Sequence, residues 1–97
     1  MFLKIHRAPD GTTVVALCDC ELINTTISDG EIDVCITEAF YGNRRASDDE
    51  IREALSLADN ANIMGERAVS FAVDMGVISR SSCIMIGKVP HAQVFRL

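Results

Sequence analysis

The chain has 97 residues, 48% of them hydrophobic and 24% charged, with a formal net charge of −5. Residues 1–97 make a single domain, and by size scaling it hides about 64% of the surface its unfolded form exposes, enough for one core without a metal or a disulfide staple. This composition excludes a disordered tail or a collagen-like chain, and the net acidity excludes a generic polyanion binder.

Residues 2–7 read as a short strand. Pro9-Asp10-Gly11 is a turn signal, and residues 12–18 are apolar on both parities, so the two runs predict a hairpin whose second strand is central. Ser28-Asp29-Gly30 is a second turn. After it Ile32, Val34 and Ile36 alternate with polar partners, the period of a strand with one wet face. Residues 43–46 are a loop. Ser47-Asp48-Asp49-Glu50 has the spacing of a capping box, with Ile51, Ala54, Leu55 and Ala58 as the apolar stripe of the helix that follows. Ala68, Val69, Ala72 and Val73 mark a second helix that stops at Gly76. Between the helices, Asn60, Asn62 and Gly65 lower helix propensity and predict a break or kink over 60–65. Residues 83–86 are a strand and Gly87-Lys88 a tight turn. A last strand over 89–96 opens with Val89-Pro90, which suggests an edge position. Strands, then helices, then strands predict an α+β fold. The expected form is a mostly antiparallel sheet of about five strands with two helices packed on one face.

Charge is divided unevenly. Residues 1–9 and 75–97 carry Lys4, Arg7, Arg80, Lys88 and Arg96 and no acid, while all fourteen acids lie in residues 10–74. If the terminal strands are close together, the molecule has a basic side. That side would suit an anionic partner such as RNA or a ribonucleoprotein. Cys18, Cys20, Cys35 and Cys83 match none of the usual zinc spacings, so no metal and no cofactor is expected. The start of the chain breaks into charge at Lys4, and no apolar run approaches the ~20 residues of a membrane span. A cytoplasmic protein with reduced thiols and no membrane partner is the expectation.

A few polar residues need explaining. His91 and Gln93 share strand parity with Phe95 and Leu97, and would point into a polar notch if the apolar pair faces the core. Asn62 and Glu66 lie four apart, and Asn62 also fits a helix N-cap. No phosphate loop, dinucleotide glycine pattern or nucleophile elbow is present, and no residue is assigned a catalytic role.

Several segments together resemble the archaeal family catalogued as domain of unknown function 424. They are Cys18-Asp19, Phe40-Tyr41-Gly42, Ala61-Asn62-Ile63-Met64-Gly65-Glu66 and Val89-Pro90-His91-Ala92-Gln93. The likeness runs nearly end to end. It departs at Ile23-Asn24, where Leu-Gly would be expected, and at Cys20. The resemblance implies an archaeal, cytoplasmic protein and no particular reaction. It marks Asp19, Tyr41, Asn62, Glu66, His91 and Gln93 as candidates. The resulting expectation is a non-catalytic binding module that contacts its partner through Asn62, Glu66, His91, Gln93, Lys4, Arg7, Lys88 and Arg96. The alternatives are a small hydrolase using His91 with Glu66 or Asp19, and a protein-interaction or self-associating subunit using an edge strand.

Overall fold

Asp10 builds the first turn. Its carboxylate accepts from the amide and the hydroxyl of Thr12 at 3.0 and 2.7 Å, and β1 (Phe2–Arg7) returns antiparallel as β2 (Thr13–Cys18). The computed structural model describes residues 1–95. Arg96 and Leu97 lie outside the described residues. A second hairpin, β3 (Thr25–Asp29) and β4 (Ile32–Ile36), forms a separate two-stranded sheet, followed by the one-turn helix α1 (Glu38–Tyr41). The expected capping box is present. Ser47 and Glu50 exchange backbone-to-side-chain bonds at 3.2 Å each, and α2 (Asp48–Leu57) buries Ile51, Ala54 and Leu55.

Residues 60–65 depart from expectation. They hold a strand, β5 (Asn60–Met64), in the middle of the main sheet rather than a break between helices. Its low-propensity asparagines mask a period of two, in which Ala61 and Ile63 are buried in the main core. Hydrogen bonding to strands on both sides outweighs intrinsic preference, the usual case for a central strand. Next, α3 (Glu66–Asp74) ends in a Schellman motif. The Gly76 amide donates to the Val73 carbonyl at 2.9 Å and the Val77 amide to Ala72 at 3.2 Å, with Gly76 left-handed at φ 79°. Short β6 (Ile84–Ile86) and long β7 (Val89–Phe95) close the described chain.

The main sheet has the order β1-β2-β5-β7-β6, and all its pairings are antiparallel except β2 with β5. The fold is therefore α+β, with a mostly antiparallel five-stranded sheet. One face carries α2 and α3 over Leu3, Val15, Leu17, Ala61, Ile63 and Ala92. The β3–β4 hairpin and α1 cover part of the other face, over Ala16, Cys18 and Met64.

Strand β7 is not an edge; it lies between β5 and β6. Pro90 is accommodated because it stands opposite Gly65, just beyond the paired residues of β5. The Gly65 amide donates to the Pro90 carbonyl at 2.9 Å. The Gly65 carbonyl, which a normal residue at 90 would engage, accepts instead from Val69 in the first turn of α3 at 2.9 Å. The core parity of β7 is also the reverse of that expected. Ala92 and Val94 face the helices, and Phe95 is 68% exposed on the opposite side.

Candidate functional site

The terminal strands lie in one sheet but are not neighbours. β2 and β5 stand between β1 and β7, a separation of about 14 Å at the usual strand spacing. Alternation places Lys4 on the α1 face and Arg7 on the α2–α3 face, where it borders a groove against α2. Lys88 sits in the β6–β7 turn, and Arg96 lies outside the described residues. Among the described residues the expected cations therefore do not gather into one basic surface. Lys4 has a structural partner, since its ammonium donates to the Ala39 carbonyl at 2.9 Å. His6 reaches the Phe40 carbonyl at 2.7 Å, so its Nε2 carries the hydrogen, and its ring stacks on Phe40 with centroids 5.0 Å apart.

Three of the four expected polar residues share a face. Cross-strand pairing sets Lys4, Ala16, Asn62 and Gln93 in one row, with Phe2, Cys18, Met64 and His91 in the row above. In the row below stand His6, Val14, Asn60 and Phe95. The hairpin and α1 cover the upper rows, leaving a shallow corner open. This pocket, about 230 Å³, is lined by Val14, Phe40, Asn60, Ala61, Asn62, Gln93 and Phe95. One wall is fixed by Tyr41, whose buried hydroxyl donates to Asn62 Oδ1 at 2.5 Å. That bond orients the Asn62 amide and leaves its N–H groups for the pocket.

Glu66 is elsewhere. It begins α3, which packs on the other face, and its carboxylate accepts from Arg80 at 2.9 Å and from Ser70 at 3.3 Å. Asp19 is also committed, being only 4% exposed. Its two carboxylate oxygens accept from the Arg67 and Ala68 amides at 3.1 and 2.8 Å. It thus caps α3 from the end of β2, a service the Gly65 N-cap position cannot perform for itself. The side chain reaches those amides because Gly65 has no Cβ. An added carbon there would stand 2.5 Å from Asp19 Cγ.

Burial sets the acid–base character of this face. It pushes the Cys18 thiol up to about 12, helped by the neighbouring Cys20 and Asp19, so the group stays protonated at neutral pH. Burial and the nearby Cys18 likewise raise the Tyr41 hydroxyl above its ordinary value. His91 is lowered by burial, opposed in part by its hydrogen bond to the Ile63 carbonyl at 3.0 Å. A carbonyl only accepts, so His91 Nδ1 carries the hydrogen and Nε2 is bare.

The lowered His91 value has a measurable sign. The unfolded chain takes up a proton near pH 6.5 that the folded chain resists, so this contribution is complete above that pH. It is lost as pH falls through the lower folded value. The stability gap between the wild type and His91→Ala should therefore narrow between pH 7.5 and pH 5 in urea unfolding. A gap that widens on acidification would contradict a neutral, half-buried imidazole.

No group of three or more His, Cys, Asp and Glu side chains able to hold a metal occurs among the described residues. Nor is any helix among them long and apolar enough to cross a membrane.

The family model described as "Protein of unknown function (DUF424)" matches residues 6–97. The chain belongs to that family. The DUF424 chain is also similar to a solved structure, the crystal structure of an uncharacterized conserved protein from Methanopyrus kandleri. The identity is 31% and the TM-score 0.80, over 99% of this chain and 93% of that one. No curated protein matches.

Within the DUF424 chain, sequence reasoning singled out Asn62, His91 and Gln93 but missed Asn60, Phe95 and Val14 as their companions. The signal for Asn60 was present as the alternation Asn60-Ala61-Asn62-Ile63. Phe95 was misplaced because an aromatic residue on a strand reads as core.

Proposed function

We propose that this protein is a non-catalytic binding module. It takes the unpaired bases of single-stranded RNA, free or within a ribonucleoprotein, in the open corner of its sheet. The supporting observation is the grouping of three carboxamides, Asn60, Asn62 and Gln93, beside the exposed ring of Phe95 on paired strands. Carboxamides are neutral and both donate and accept, which suits the edges of bases. An exposed aromatic ring offers a stacking plane. The expected basic terminal strands play a smaller part in this reading, because Lys4 and Arg7 face opposite ways. Recognition then rests on the base rather than on phosphate, and salt dependence is shallow, with a slope of about −0.7 for each phosphate contacted. Hydrolysis by His91 with Glu66 or Asp19 has less support. Both Asp19 oxygens are held by helix amides, and Glu66 is paired with Arg80.

The test is fluorescence anisotropy with labelled homopolymeric RNA octamers of U, A, C and G. At least one should bind, and Phe95→Ala should weaken it by about 5- to 150-fold, the worth of one base–aromatic stack. Asn60→Ala should weaken it too, without a change in unfolding midpoint. Absence of binding for all four at about 100 μM protein, or equal binding by Phe95→Ala, would refute the reading.

A further inference from the structure

The outer edge of β1 is half covered. Its start is paired by the chain itself: Phe2 forms an antiparallel bridge with Arg45, the Leu3 amide donates to the Arg44 carbonyl at 3.2 Å, and the Ala46 amide donates to Met1 at 3.2 Å. The Leu3 bond fixes which residues point outward. Backbone groups alternate along a strand, so Ile5 and Arg7, like Leu3, turn their amides and carbonyls away from β2. No described residue pairs with them there. The edge thus pairs at its start and is left bare at the next two outward positions.

Two grooves flank that bare stretch, one on each face of β1. The groove on the α1 side is about 520 Å³ and is lined by Lys4, Glu38, Gly42 and Asn43. The groove on the α2 side is about 440 Å³. Its walls include Ile5 and Leu57, which are 41% and 73% exposed, and its rim carries Glu53 and Asp59. Leu3, Ile5 and Arg44 border both grooves. A bare strand edge with a groove on either side is the arrangement that receives an added strand. Main-chain bonds hold that strand, and its alternate side chains drop into the two grooves.

We propose that β1 binds an extended segment of a partner protein as an additional strand, continuing the row that residues 44–46 begin. Charge complementarity gives the segment its chemistry. On the α2 side, Glu50 is engaged by Arg44, whereas Glu53 and Asp59 Oδ1 are left to attract a cation. A lysine or arginine fits there, with its stem on Ile5 and Leu57 and its head at the two acids. The α1-side groove carries Lys4 and Glu38 beside the bare backbone of Gly42, and a small polar side chain fits it. The segment therefore alternates a cationic or aliphatic residue with a small polar one. A second copy of this chain fits poorly, because antiparallel pairing of two β1 edges would bring together strands that carry Lys4, Arg7 and no acid.

The probe is the peptide acetyl-Thr-Lys-Thr-Leu-Thr-amide, titrated into nitrogen-15-labelled protein and followed by NMR. The amides of Ile5 and Arg7 should shift most. Changing the peptide lysine to glutamate should weaken binding at least fivefold, and Glu53→Lys in the protein should reverse that preference. N-methylation of the leucine amide, which faces β1 in the antiparallel row that residues 44–46 begin, should abolish binding. No shift at 5 mM peptide (roughly −3 kcal/mol at half saturation), or shifts confined to other strands, would overturn the proposal. Dimerisation of the chain alone that is lost in Ile5→Lys would also overturn it, by assigning the edge to a second copy.

Discussion

Asp19→Ala is expected to destabilise the protein by about 2–4 kcal/mol. The carboxylate is buried and serves the Arg67 and Ala68 amides, which open α3 and have no partner within the helix. Removing it leaves two amides bare, one of them in the buried core, and each loses a charge-assisted bond worth about 1.5–3 kcal/mol at most. It also removes a negative charge from the positive end of the helix dipole. Relaxation and water entry at the more exposed Arg67 amide return part of that sum. For a domain of this size each kcal/mol moves the thermal midpoint by about 4–8 °C, so calorimetry should find a fall of about 10–30 °C. A change below about 3 °C would show that the amides find other partners. Asp19→Asn should fall between the two, because its amide keeps one acceptor oxygen and loses the charge.

Gly65→Ala is expected to cost at least as much, about 3–5 kcal/mol, for two separable reasons. The backbone there has φ 107° and ψ 158°, a region reserved for glycine whose occupation by another residue costs about 1–3 kcal/mol. The new methyl would also stand 2.5–2.9 Å from the Cγ, Oδ2 and Cβ atoms of Asp19. To relieve the overlap, the carboxylate must leave the amides it caps. The two substitutions should therefore be sub-additive, with the double variant more stable than the sum of the singles by about 1–2 kcal/mol. Strict additivity in urea unfolding would mean that strain alone, and not the displaced cap, carries the loss.

Elements whose signals are local were legible in the sequence. The Ser47–Glu50 box, the Pro9-Asp10-Gly11 hairpin and the Gly76 stop are each decided within a few residues, and each stands where it was expected. Elements decided by distant partners were not. β5 carries two asparagines and depends on β2 and β7 for its conformation. β3 presents only one half-buried apolar side chain, Ile27, among five residues and is a strand because β4 pairs with it. Pro90 suggests an edge until the Gly65 carbonyl is seen to have another donor. The candidate site was half legible for the same reason. Asn62, His91 and Gln93 stand out as polar residues in apolar runs. That Asp19 caps a helix beginning nearly fifty positions later has no local signature at all.

The single parallel pairing shapes how this chain comes into being. β2 cannot gain its inner neighbour until β5 exists, and the whole second hairpin, α1 and α2 are made in between. During synthesis the first hairpin emerges with its most apolar strand bordered by an unfilled edge. At ~5–20 residues per second that edge waits on the order of 2–10 s for residues 60–64. The interval is long compared with the microseconds in which a hairpin forms. The nascent chain is therefore exposed to wrong pairing throughout the synthesis of β3 to α2, and the ribosome-bound intermediate is the state on which a cellular holding factor would act.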